Sequence, residues 1–194
     1  FGRAATIYAH HLVVFLVCGA IVAFGVLATN DVRLFEATNF DVLVASPIEA
    51  LAGIATLGFQ PAYINILPLY IVLMLAAPAL LNLAIASPRA ALALSAALYV
   101  AAHLFGLYLP SFPASGGWFF NPFAWQLLFV IGICTGLALR DGRVLDSRPL
   151  FVVALFYLAA ATLWTRSGFY NPYDLSPLPR FVWDFDKTSL TLPR

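Results

Sequence analysis

Apolar residues fall in blocks about as long as a bilayer is thick, with short polar joints between them. Five such blocks cover residues 6–28, 63–86, 89–109, 122–139 and 149–165. A helix rises about 1.5 Å per residue, so roughly 20 apolar residues cross a hydrocarbon core. Each block is therefore read as a transmembrane helix, the last two being the shortest. Residues 29–62 interrupt the series with Asp31, Arg33, Glu36, Asp41 and Glu49. Inside this stretch Ser46-Pro47-Ile48-Glu49 has the form of a helix start: Ser as N-cap, Pro at N1, and Glu at N3 closing a capping box. The predicted helix, about 47–58, is too short to span. It lies on the outer interface or re-enters the membrane, with Ile48, Leu51, Ala52 and Ala55 on one face. The fold class expected is all-α: a polytopic integral membrane helix bundle of about five transmembrane helices. One short interfacial or re-entrant helix and an outer tail at 166–194 complete a single membrane domain, 1–194.

Composition excludes the soluble alternative. The chain is 62% hydrophobic and only 10% charged, whereas soluble domains carry about 25% charged residues. Net charge is +1, which offers nothing to nucleic acid as a partner, and membrane lipid is the expected surrounding. Cys18 and Cys134 sit within apolar blocks and read as small hydrophobes rather than a disulfide framework. Arg3, Arg89, Arg140, Arg143 and Arg148 fall on one set of joints, and only Arg33 falls on the other before the tail. By the positive-inside rule the N-terminus is cytoplasmic. Tyr63, Tyr108, Trp118, Trp125 and Trp164 then form an aromatic belt at the outer face. The chain starts at Phe1 without a methionine and meets apolar sequence at once, so it reads as an internal segment of a longer membrane protein.

Polar groups in hydrocarbon cost several kcal/mol unless partnered, so those left in the blocks are the functional candidates. An inner set holds Arg3, Tyr8, His10, His11, Asn82, Arg89 and Arg140. The adjacent His10 and His11 point about 100° apart on a helix, so at most one faces the bundle interior. It acts there as a base or proton relay, or else as an interfacial histidine bonded to a carbonyl or water. Arg3 suits an anionic ligand such as a phosphate, or serves topology alone. An outer set holds Glu49, Asn65, His103 and Gln126. Pro68 follows Asn65 and is expected to open the helix there, and Pro78 to repeat the break. His103, an ionisable group inside its block, is either functional or a packing histidine. The segment 110–123 sets Gly116 and Gly117 before Trp118, Phe119 and Phe120, π faces that suit a sugar ring or an ordinary interfacial belt. No metal-ligand spacing, phosphate-binding glycine loop or nucleophile elbow is present.

Several strings taken together resemble one family. They are YINILPLYIVLML at 63–75, GWFFNPFAWQLLF at 117–129, Asp186-Lys187-Thr188, and Arg3 followed by Ile7-Tyr8-Ala9-His10-His11. These resemble the OpgC family, integral membrane succinyltransferases of osmoregulated periplasmic glucans, related to the broader acyltransferase-3 group. The resemblance covers essentially all 194 residues and about the middle half of a typical member. It implies an O-acyltransferase of the bacterial inner membrane. Succinyl-CoA, the acyl donor, is engaged from the cytoplasm, and the acyl group reaches periplasmic glucan hydroxyls; no bound cofactor is implied. It places Arg3 in the acyl-donor motif, matches Tyr8 and His11 to the family's Tyr and His, and matches Glu49 to the acidic residue of the short outer helix. Asn65, Tyr70, Asn121, Trp125, Gln126 and Lys187 lie within matched motifs. The expected catalytic candidates are His11, His10, His103 and Glu49, with Trp118, Phe119 and Phe120 toward the glucan. In the wider group a histidine of an earlier helix is the general base, and this chain begins after that point. The alternatives are a multi-span transporter of an anion or saccharide, without covalent chemistry, and a purely structural membrane subunit.

Overall fold

The computed structural model describes residues 2–61, 64–112, 117–142, 147–166 and 190, with 163–166 as backbone only. It is helical throughout: α1 (Gly2–Thr29), α2 (Arg33–Thr38), α3 (Asp41–Ala45), α4 (Pro47–Ala55), α5 (Ile66–Ala86), α6 (Pro88–Phe105), α7 (Pro122–Arg140) and α8 (Arg148–Arg166). Among the described residues, α1, α5, α6 and α7 are long and apolar enough to cross a membrane. The fifth expected span is α8, of which Arg148–Thr162 forms a shorter apolar helix. Its side chains from 148 to 160 are all exposed.

Local sequence sets most helix ends. Ser87 precedes Pro88 and accepts a hydrogen bond from the Ala90 N–H at 3.3 Å. Asn121 precedes Pro122 and accepts from the Phe123 N–H at 3.1 Å, the same N-cap and N1-proline device. Gly106, at φ +62°, closes α6 in the left-handed conformation that glycine adopts without a Cβ clash. The capping box expected at Ser46 and Glu49 does not form, because the Ser46 side chain makes no cap bond. Ser46 also ends α3, its N–H bonded to the Val42 carbonyl at 2.8 Å, and that constraint leaves its backbone at φ −142°, ψ 67°. Pro68 does not open a helix either. Because α5 starts at Ile66, Pro68 lies in the first turn, where an N–H would have no helical partner anyway. Pro78 is inside α5 and removes the donor that would meet the Met74 carbonyl.

Two packed regions result. α5, α6 and α7 pack on one another around Ala84, Ala91 and Val130, with Cys134 half-buried beside them. The small side chains let the helix backbones approach closely. α2, α3 and α4 instead fold back along α1. Phe40 lies against Gly19 and Phe15, Phe59 lies against Phe15, and Val42, Ala50, Ile54 and Ile64 complete that core. Cys18 packs at its edge as a free thiol.

α1 and α5 touch, but not end to end. Spans at 6–28 and 63–86 would set Ala5 beside the α5–α6 turn. Instead Ala4 and Ala5 share a cavity with Ile71 and Leu75, and Phe15 shares a cluster with Ile64. The offset is about 12 residues, roughly 18 Å of helix. Arg3 therefore stands near the middle of α5, and the inner set is split: Arg3 is not in one layer with Arg89 and Arg140.

Candidate functional site

One face of α1 is turned inward. Ala4, His11 and Phe15 are buried on it, and Tyr8 is half-buried between them, a spacing of three, four and seven residues that places them on one stripe. The Tyr8 hydroxyl donates to the Ala55 carbonyl at 3.1 Å. That carbonyl belongs to the last turn of α4, where no helical N–H remains to meet it. Below this bond an open cavity of about 430 Å³ forms a groove at the surface between α1, the end of α4 and the first half of α5. It is lined by Ala4, Ala5, Tyr8, Ala55, Thr56, Leu57, Ile71 and Leu75. No carboxylate or cation is among these residues.

The two adjacent histidines separate cleanly. His10 is exposed, and its Nδ1 lies 2.6 Å from the Thr6 carbonyl; a carbonyl only accepts, so Nδ1 donates. His11 is fully buried, one turn along from Tyr8, and neither ring nitrogen has a hydrogen-bond partner among the described residues. A buried polar ring without a partner costs about 1–3 kcal/mol, so His11 is the polar group in this region that most needs an explanation.

The end of α4 is held in a specific shape. Leu57 adopts φ +64°, a left-handed conformation that disfavours a residue with a Cβ. The Phe59 N–H returns to the Gly53 carbonyl at 3.0 Å. Gly53 is required for this return, since a Cβ there would meet the Phe59 Cβ at 2.7 Å. On the far side, Phe112 donates its N–H to the Gly58 carbonyl at 2.9 Å, and the Phe59 and Phe112 rings meet edge to face. The strip 57–59 thus joins the cavity to the aromatic loop that precedes α7.

In that loop the expected sugar platform is rearranged. Trp118 is buried, its indole N–H donating to the Pro110 carbonyl at 3.1 Å. The exposed ring is Phe119, set edge to face on Phe120, which is set edge to face on Trp125. Gly117 lies tight on Tyr108, where a Cβ would come within 2.6 Å of the tyrosine Cβ. Asn121 caps α7 and donates to the Leu107 carbonyl at 2.7 Å. Gln126 is buried and occupied: it accepts from the Ser95 hydroxyl at 2.5 Å and donates to the Ser95 and Phe123 carbonyls. Asn121 and Gln126 therefore hold the loop and α6 to α7.

The remaining candidates are scattered. His103 is on α6, its Nδ1 2.8 Å from the Tyr99 carbonyl and its ring 4.4 Å from the Tyr99 ring. Tyr99 donates in turn to the Leu190 carbonyl. Glu49 is exposed in the first turn of α4, Asn65 sits at the start of α5 without a side-chain cap bond, and Tyr70 is exposed on α5. Arg3 is exposed one residue from the cavity wall. Lys187, Tyr63 and the tail, Leu190 apart, lie outside the described residues. Ala4, Ala5, Ala55, Thr56, Leu57, Ile71 and Leu75 carry no sequence signal of a cavity, since small and apolar residues are ordinary in such helices.

A family model described as OpgC protein matches residues 1–194. The chain belongs to the OpgC family. Membership supports a glucan-modifying, acyltransferase-like role for this membrane helix bundle. No curated protein and no solved structure matches the chain significantly.

Proposed function

We propose that this OpgC chain belongs to a membrane O-acyltransferase that moves a succinyl group from cytoplasmic succinyl-CoA to periplasmic glucan hydroxyls. The observation that carries the reading is His11: buried, without a hydrogen-bond partner among the described residues, and one turn from the cavity residue Tyr8. His10 is exposed and bonded within its own helix, so the basic role goes to His11. In the proposed step an imidazole nitrogen of His11 takes the proton of a sugar hydroxyl. The oxygen attacks the thioester carbonyl, a C–O bond forms, the C–S bond breaks, and the thiolate leaves with the proton held on His11. Arg3, exposed beside the cavity wall, holds an anionic part of the donor. Phe119, Phe120 and Trp125 offer the acceptor's ring an apolar edge, and the strip 57–59 connects the two sides. The setting proposed is the bacterial inner membrane, with the N-terminus cytoplasmic.

Mass spectrometry of periplasmic glucans from cells with and without the gene tests the reaction. The succinyl mass increment should vanish without the gene and return with it. Identical spectra in cells shown to make the protein would overturn the proposal.

A further inference from the structure

His11 is fully covered, and a base that works on a sugar hydroxyl cannot stay so. The cover is the turn that ends α4. Its Ala55 carbonyl accepts from the Tyr8 hydroxyl, one turn before His11 on the inward stripe of α1. Its Phe59 ring stands 6.3 Å from the ring of Phe15, one turn after His11. The turn therefore meets α1 on both sides of His11 and crosses the stripe between them. Its two ends are fixed, since Ile54 and Phe59 are buried in one core with Phe15. Between them Ala55 and Thr56 are exposed, and Leu57 and Gly58 are half-buried. Leu57 is strained at φ +64°, where its Cβ crowds the following carbonyl. Hydrogen bonds tie this stretch to other elements at Ala55, through Tyr8, and at Gly58, whose carbonyl accepts from the Phe112 N–H at 2.9 Å. Phe112 lies in the aromatic loop, where the Trp118 N–H reaches back to the Leu109 carbonyl at 2.9 Å and so sets Phe119 beside the same arm. Beneath the turn, neither imidazole nitrogen has a partner among the described residues.

We propose that residues 55–58 are a flap over His11, latched to α1 by the Tyr8 hydroxyl and to the aromatic loop by the Phe112 N–H. The flap lifts between its fixed points at Ile54 and Phe59, and Leu57 leaves the left-handed conformation as it does. Both the strained Leu57 and the unpartnered imidazole raise the closed state, so opening relieves strain at one and admits a polar partner to the other. The end of a helix is also where local opening is easiest. Closed, the flap keeps water from the base; a sugar bound at the Phe119 loop loosens the Phe112 latch and uncovers it. The inference deepens the transfer reaction proposed above and rests on it for the sugar, whereas the flap and its latches are tested without any transfer.

Diethyl pyrocarbonate applied to the protein in native membrane vesicles tests the flap, with carbethoxylation of each histidine followed by tandem mass spectrometry. In the wild type the exposed His10 should label faster than His11 by about tenfold or more, because His11 reacts only when the flap is open. Tyr8→Phe removes one latch and keeps the ring, and should raise the His11 rate by about tenfold, the worth of one net hydrogen bond. Leu57→Asn should lower it by about threefold, since Asn tolerates the left-handed conformation better and favours the closed flap. These opposite shifts separate a flap from general loosening. As a second control, N-ethylmaleimide labelling of Cys18, at the edge of the same core, should stay as in the wild type. His11 labelling as fast as His10, an unchanged His11 rate in either variant, or a parallel rise at Cys18 overturns the flap. Radiolabelled succinyl transfer to glucan, measured in the same membranes, reports separately on the reaction. Its absence with the labelling pattern intact sinks that reaction and leaves the flap standing; transfer without the pattern does the reverse.

Discussion

Removing the Ser95 hydroxyl should cost more than removing the Gln126 amide, although the amide makes more bonds. In Ser95→Ala the buried Gln126 Oε1 loses the Ser95 hydroxyl that donates to it at 2.5 Å. Leaving one buried acceptor unpaired costs about 1–3 kcal/mol, and hydrogen bonds between membrane helices reach at most about 1.7 kcal/mol. About 1–2 kcal/mol is therefore expected. Gln126→Leu keeps the volume and strands less. The Ser95 and Phe123 carbonyls that Gln126 meets lie within helices and keep their own i+4 N–H donors. The Ser95 hydroxyl can rotate to the Ala91 carbonyl one turn back. That variant should lose about 1 kcal/mol or less. The double variant should resemble Gln126→Leu alone, so the coupling in a double-mutant cycle should equal the Ser95→Ala loss, about 1–2 kcal/mol. Reversible unfolding in mixed detergent micelles, followed by tryptophan fluorescence, measures all three. A larger loss in Gln126→Leu than in Ser95→Ala, or strictly additive losses, would refute the clamp.

Three further outcomes are expected. His11→Ala should lower glucan acylation by about 100-fold or more, as loss of a general base does, while His10→Ala stays within a few-fold; equal losses measured by radiolabel transfer would refute the assignment. Gly117→Ala drives a Cβ to 2.6 Å from the Tyr108 Cβ, and overpacking of this kind costs about 1–3 kcal/mol. A thermal midpoint unchanged from wild type would show that the loop yields freely. The Asp31 carboxyl accepts from the Arg33 guanidinium at 2.8 Å, which holds it below the usual carboxylate range. Because its folded value is depressed, the pair is intact above the unfolded carboxylate's range and is lost as pH falls through the folded value. An infrared titration of labelled Asp31 with a midpoint at or above about 3.9 would contradict the pairing.

Much of the architecture was legible along the chain. Block length and low charge specify membrane helices because bilayer thickness and backbone hydrogen bonding admit few other spanning structures. Ser87-Pro88, Gly106 and Asn121-Pro122 mark helix ends because caps depend on a few local backbone groups. The OpgC strings were likewise legible, and they pointed to Tyr8 and to the His10-His11 pair without deciding between the two histidines. Local rules failed where one residue serves two elements. Ser46 must end α3 as well as begin α4, and Pro68 falls in the first turn of a helix that starts later than its apolar block.

Tertiary structure decided the rest. In a helix that is apolar nearly all round, periodicity does not say which face meets protein and which meets lipid. The choice of His11 over His10 thus came only with the packing of α1 against α4 and α5. The offset between α1 and α5, the fold-back of α2–α4 and the cavity beside Tyr8 depend on contacts between residues far apart in sequence. Among them are Phe15 with Phe59, Tyr8 with Ala55, and Gly58 with Phe112. Sequence determined which segments enter the membrane, because transfer free energy is a sum over local residues. Their register against one another depends on how side-chain shapes interlock across helices, and no local sum contains that.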